Sequence, residues 1–157
     1  MDTRHHSANS AGLPAQAGFT VLEVVISVAI LTTMAGTGAF FMTKFLGQSN
    51  LRSEHSLVLS LLREARTFSL ANRNSKPHGV KILGSTYVIF EGWSYAGRDA
   101  TYDTSYGRDA NISIAGPDEI LFYNLSGRSA NSTLAFTHAS TTTTYTINVN
   151  TEGSIDW

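Results

Sequence analysis

The sequence predicts an α+β fold in which one long N-terminal helix packs on a small antiparallel β-sheet head, and three observations carry that expectation. Val24 to Thr43 contains no charged residue. Beyond it, apolar residues recur at helical spacing as far as Phe68. Past Pro77, short runs of β-branched and aromatic residues alternate with Gly, Pro, Asp and Ser turns.

The uncharged run is about twenty residues and would rise about 30 Å as a helix, which matches the hydrocarbon core of a bilayer. It is therefore expected to be a transmembrane helix, assigned to 19–46 with its flanks. Glu23 stands just inside its amino end. A carboxylate there loses water that lipid does not replace, so it is expected to have a task. An ordinary secretory signal would place a small-x-small site after the apolar core, whereas Ala15-Gln16-Ala17 precedes it. A plain anchor with an incidental glutamate is the other reading. Gly36 and Gly38 lie within the run, either to let helices approach closely or as a point where the helix melts.

From 47 to 76 the helix is expected to continue in amphipathic form. Leu51, Val58, Leu61, Leu62, Ala65 and Phe68 fall on one side, and Arg52, Glu64, Arg66 and Arg73 fall elsewhere. Asn74 and Pro77 are expected to end it, giving a helix from Phe19 of about 84 Å at about 1.5 Å per residue.

The head, 77–157, reads as strands. Val80–Leu83 and Tyr87–Phe90 flank Gly84-Ser85-Thr86 as a hairpin. Further strands are expected at 111–114, 120–123, 133–136, 143–149 and 154–157, between turns at Gly116-Pro117-Asp118, Ser126-Gly127-Arg128 and Glu152-Gly153. Tyr145, Ile147 and Val149 alternate with polar residues, the period of a sheet with one buried face. Between the strands, 92–110 reads as a loop insert in which Gly-Arg-Asp-Ala occurs at Gly97 and again at Gly107. Its Trp93, Tyr95, Tyr102 and Tyr106 suit either a contact surface or a connection whose aromatics fold onto the sheet. Asp99, Asp103 and Asp109 do not match an EF-hand spacing.

The net charge of the 157-residue chain is -1, but it is segregated. Residues 44–76 carry six Lys and Arg against two Glu, and the head carries four against eight Asp and Glu. A basic stalk and an acidic head suit packing between stacked subunits, or are simply solvated faces. The chain has no cysteine, so the head is expected to rely on its core, on a metal or on neighbours in an assembly. Nucleophile elbows, phosphate loops, dinucleotide fingerprints and zinc spacings are missing from the sequence, which calls for no catalytic residue, metal or cofactor. His55, His78 and His138 stand alone in sequence and read as packing or surface residues. Asn111, Asn124 and Asn131 begin Asn-x-Ser/Thr triplets, which matter only where glycosylation machinery exists.

Gly18-Phe19-Thr20-Val21-Leu22-Glu23 followed by the apolar helix resembles the class III signal of type IV pilins and type II secretion pseudopilins. The stalk end Leu61–Arg66, the Phe122 to Arg128 stretch, Leu134-Ala135-Phe136 and the closing Glu152–Ile155 are similar to the H-type pseudopilin and FimT/FimU-like minor pilin group. The resemblance implies a pilin fold, with 1–18 a leader peptide, prepilin peptidase cleavage between Gly18 and Phe19, and N-methylation of Phe19. It implies that the new amine of one subunit pairs with Glu23 of a neighbour and sets its register. The implied partners are other pilin or pseudopilin subunits, the prepilin peptidase, membrane lipid before assembly, and indirectly an inner-membrane platform protein and assembly ATPase. A single pass is implied, with the head outside the cytoplasm, although Lys44, Arg52 and Arg63 against Arg4 give the opposite positive-inside count. Alternative readings are a competence-type DNA-uptake or adhesive pilin and an anchored exported domain that never polymerises. The basic residues lie mainly on the stalk, so nucleic acid is not a favoured partner.

Overall fold

In a computed structural model, residues 18–157 are described, without the side chains of 38–41 and 43. The expected leader, with Arg4, His5 and His6, lies outside the described residues apart from Gly18. The chain divides into two units, Met1–Ala39 and Phe40–Trp157.

Among the described residues the single α-helix is α1 (Val21–Leu70). It begins two positions after Phe19 because Thr20 caps it, accepting a hydrogen bond from the Glu23 backbone N–H at 3.2 Å. It ends at Leu70, not at Asn74. Asn72 turns left-handed (φ 50), which asparagine tolerates better than most residues, and a short 3-10 turn Arg73–Ser75 leads to Pro77.

In the first unit every described residue of the helix is exposed, including Val21, Leu22, Val25, Ile26, Ile30, Leu31 and Met34. Among the described residues no helix is long and apolar enough to cross a membrane, so the transmembrane half of the expected helix is not found among them. The expected span Val24–Thr43 runs through the five positions whose side chains are not described.

The second unit holds eight strands, β1 (His78–Ile82), β2 (Thr86–Glu91), β3 (Thr104–Gly107), β4 (Ile112–Ala115), β5 (Glu119–Phe122), β6 (Ser132–His138), β7 (Thr144–Val149) and β8 (Ile155–Asp156). They form two antiparallel four-stranded sheets, β3-β2-β1-β5 and β4-β6-β7-β8, where the sequence suggested one. The chain changes sheet three times, after β3, after β4 and after β5, and at the second crossing Gly116 (φ 132) has no side chain and so admits the Thr133 carbonyl. The expected hairpin forms, with Val80 opposite Ile89.

One core joins the helix to both sheets. Leu51, Val58, Leu61, Leu62 and Ala65 of α1 pack with Val80, Tyr87, Ile89, Ile120 and Phe122 of the first sheet and with Leu134, Phe136, Ile147 and Val149 of the second. These are the residues of the predicted stripe, and Phe68 packs half-buried against them. The helix meets the second sheet's β6–β7 connection as early as Gly47, where an added Cβ would collide with the Ser140 hydroxyl.

Candidate functional site

The candidate processing and assembly residues sit at the start of α1. Gly18 and Phe19 precede the helix in irregular backbone, and Phe19 is 82% exposed. A Cβ added at Gly18 meets nothing within 4 Å, so this chain's own packing does not require glycine there. Glu23 is exposed in the first turn, where its charge opposes the positive end of the helix dipole. Thr20-Val21-Leu22-Glu23 has the spacing of a capping box, and the threonine half of that box is formed. This local role for Glu23 was legible as Thr-x-x-Glu ahead of an apolar run and escaped the reading above. Gly36 likewise has open space around it, while the surroundings of Gly38 lie outside those described.

The 92–110 segment is more structured than a loop, because Thr104–Gly107 joins the first sheet beside β2. Its four aromatics separate into two kinds. Trp93 is 67% exposed and Tyr102 is 49% exposed. Tyr95 is half-buried, edge-on to Phe90 and stacked under the Arg98 guanidinium at 3.6 Å, and Tyr106 packs half-buried against the core. Two of the rings thus fold against the sheet and two stand open to solvent.

The repeated Gly-Arg-Asp-Ala builds the same local device twice. Arg98 donates to the Tyr95 carbonyl at 2.8 Å, and Arg108 donates to the Leu83 and Ile112 carbonyls at 2.8 and 2.9 Å. Each following aspartate accepts from the backbone N–H two residues on, Asp99 from Thr101 at 3.0 Å and Asp109 from Asn111 at 2.9 Å. Those bonds hold the Asp99 carboxyl below the usual range. Asp103 pairs with Arg98 at 2.7 Å, so the three aspartates serve separate local bonds. Among the described residues no group of three His, Asp or Glu could hold a metal ion.

Two buried carboxylates were missed in sequence. Glu54 lies on the buried face of α1, and its Oε1 accepts from the Tyr87 hydroxyl at 2.7 Å and the Asp109 backbone N–H at 3.2 Å. Burial, then the Glu54 hydrogen bond, push the Tyr87 hydroxyl's pKa well up, so it stays a neutral donor. The signal was there: Glu54 is in phase with Leu51, Val58, Leu61 and Ala65. The second group is Glu91, at the end of β2, which receives Asn74 Nδ2, faces Lys76 Nζ at 3.2 Å and lies 3.7 Å from His78 Nε2. The lysine pair is close without the alignment of a hydrogen bond, since Glu91 Oε1 has no hydrogen-bond partner among the described residues. Burial holds His78 below its ordinary pKa, against the opposing pull of Glu91.

Of the ion pairs described in the second unit, only that of Lys76 with Glu91 joins the basic segment to the acidic head. Lys81 pairs with Asp118 at 2.7 Å, Arg98 with Asp103, Arg128 with Glu152 at 2.9 Å and Lys76 with Glu91. The Lys81 ammonium lowers the Asp118 pKa.

What the geometry defines is a class: an α+β protein with a helix packed on two antiparallel sheets and an apolar helical extension carrying an acid in its first turn. No family model matches the chain, and no curated protein and no solved structure matches it.

Proposed function

We propose that this chain is a non-enzymatic structural subunit, of the minor kind, in a type IV pilus or a type II secretion pseudopilus. The apolar start of α1 is held in the cytoplasmic membrane before assembly, with the head outside the cytoplasm. Prepilin peptidase cuts after Gly18, Phe19 is N-methylated, and the freed amine of one subunit pairs with Glu23 of another. Opposite charges attract strongly where water is excluded, so this pairing fixes register as well as affinity.

The supporting observation is the first unit itself. A helix whose described residues are all exposed and largely apolar needs a cover, and lipid followed by other helices supplies one. Gly18 adds to it, because alanine there meets no neighbour, so an effect of Gly18→Ala on processing reports the enzyme that reads the site.

Two variants test the reading in cells with active pilus or secretion machinery. Gly18→Ala is expected to block leader removal. Glu23→Ala is expected to be cleaved normally yet to enter filaments at a small fraction of the wild-type level. Normal filament entry by Glu23→Ala would refute the pairing.

A further inference from the structure

Leu125 is anomalous in two ways. Its backbone is left-handed (φ 63), a conformation that costs a non-glycine residue about 1 kcal/mol. Its side chain is also 68% exposed, so burial does not repay the strain. The conformation is imposed from outside: the Leu125 N–H donates to the Ser69 carbonyl at 2.8 Å, the Gly127 N–H to the Tyr123 carbonyl at 2.8 Å, and Asn124 Nδ2 to Asn72 Oδ1 at 3.1 Å. The end of α1 thus holds this turn so that a leucine points outward.

Other large apolar groups share that corner. Tyr123 is exposed, with its ring 6.2 Å from that of exposed Trp93, and exposed Leu70 lies against Gly127. The charges around it are lopsided. Arg66 lies beside Gly127 and Gly153, Arg73 follows the helix end, Lys76 shares a groove with Trp93, and Arg128 closes the turn. Glu91 and Glu152 face Lys76 and Arg128, and Asp99 lines the groove that Lys76 shares with Trp93, but among the described residues Arg66 has no carboxylate partner and Arg73, stacked over the Phe68 ring at 4.6 Å, has none either.

We propose that this corner docks a segment of another protein that combines aliphatic side chains with carboxylates. The leucine and the two aromatic rings take its apolar residues, and the uncompensated arginines take its acids. A hydrophobic surface with a cationic rim favours such a segment over a neutral or basic one. The proposal does not depend on filament assembly.

The test uses the full chain in detergent micelles and a short fluorescein-labelled peptide of Glu and Leu, with Lys-for-Glu and Ser-for-Leu versions beside it. Fluorescence anisotropy is expected to show binding by the first peptide alone, weakened several-fold when salt rises from about 0.05 to about 0.5 M. Leu125→Asn keeps the left-handed backbone and removes the anchor. It is expected to lower affinity about tenfold, the weight of one buried leucine, while leaving Tm unchanged or higher. Arg73→Gln is expected to weaken binding and its salt dependence. Equal binding of the Lys peptide, unchanged affinity in Leu125→Asn, or a fall in its Tm, which would make Leu125 a packing residue, would each overturn the proposal. Self-association abolished by Leu125→Asn would also overturn it, by making a second copy the occupant.

Discussion

Ser69 has no accessible surface, yet its hydroxyl joins three elements. It donates to the Phe122 carbonyl of β5 at 2.8 Å and accepts from the His78 N–H of β1 at 2.9 Å. Ser69→Ala leaves both partners buried without water, and each such loss costs about 1–3 kcal/mol. Chemical denaturation is expected to show a loss of about 2 kcal/mol or more at unchanged m-value. His78, beside it, gives a pH dependence. Its folded pKa is depressed below about 6.5, so the folded state resists protonation. Its contribution is complete above the unfolded pKa and fades as pH falls through and below that value. Glu91, which faces the ring, and Arg73 oppose each other in this balance. Stability measured from pH 8 to 5 is expected to decline toward acid, and His78→Gln to flatten that decline. Neither residue stood out in sequence, since a lone serine or histidine carries no periodic signal until the chain is folded around it.

At the scale of elements, the helix stripe and the hairpin were legible because each has a strong local period. Leu51, Val58, Leu62 and Ala65 repeat at helical spacing, and Val80 pairs with Ile89 across a three-residue turn. The helix end was not, because a left-handed Asn72 preceded the Asn74 and Pro77 on which the reading relied. The split into two sheets depends on long-range pairing, with β4 beside β6 and β5 beside β1, which leaves no local mark. Likewise Thr104–Gly107 is a strand because β2 offers it an edge, although its own composition reads as loop. Helix and sheet are also tied by the buried bond from Tyr87 to Glu54. A double-mutant cycle of Glu54→Ala and Tyr87→Phe is expected to give a coupling of about 1–3 kcal/mol, as for a hydrogen bond to a charged group. Additive effects would mean that the tie contributes nothing beyond its parts.

For the whole molecule, the two units pose different physical problems. The second has one core beneath two sheets and pairs Lys81, Arg98 and Arg128 of the head with carboxylates of its own. The first leaves apolar side chains exposed along its described length. The candidate site was legible as a motif, Gly18 to Glu23, because residue types at short spacing suffice to mark it. The Thr-x-x-Glu spacing also marked a helix cap, and the Thr20 bond shows that its threonine half is formed. The capping role and the proposed pairing are compatible, since the first uses the Glu23 backbone N–H and the second its carboxylate.

The most direct measurement is the intact mass and N-terminal fragment spectrum of the protein recovered from cells with an active prepilin peptidase. A chain starting at Phe19 with one added methyl group on its amine is the predicted result. A chain that retains the residues before Phe19 would contradict the account.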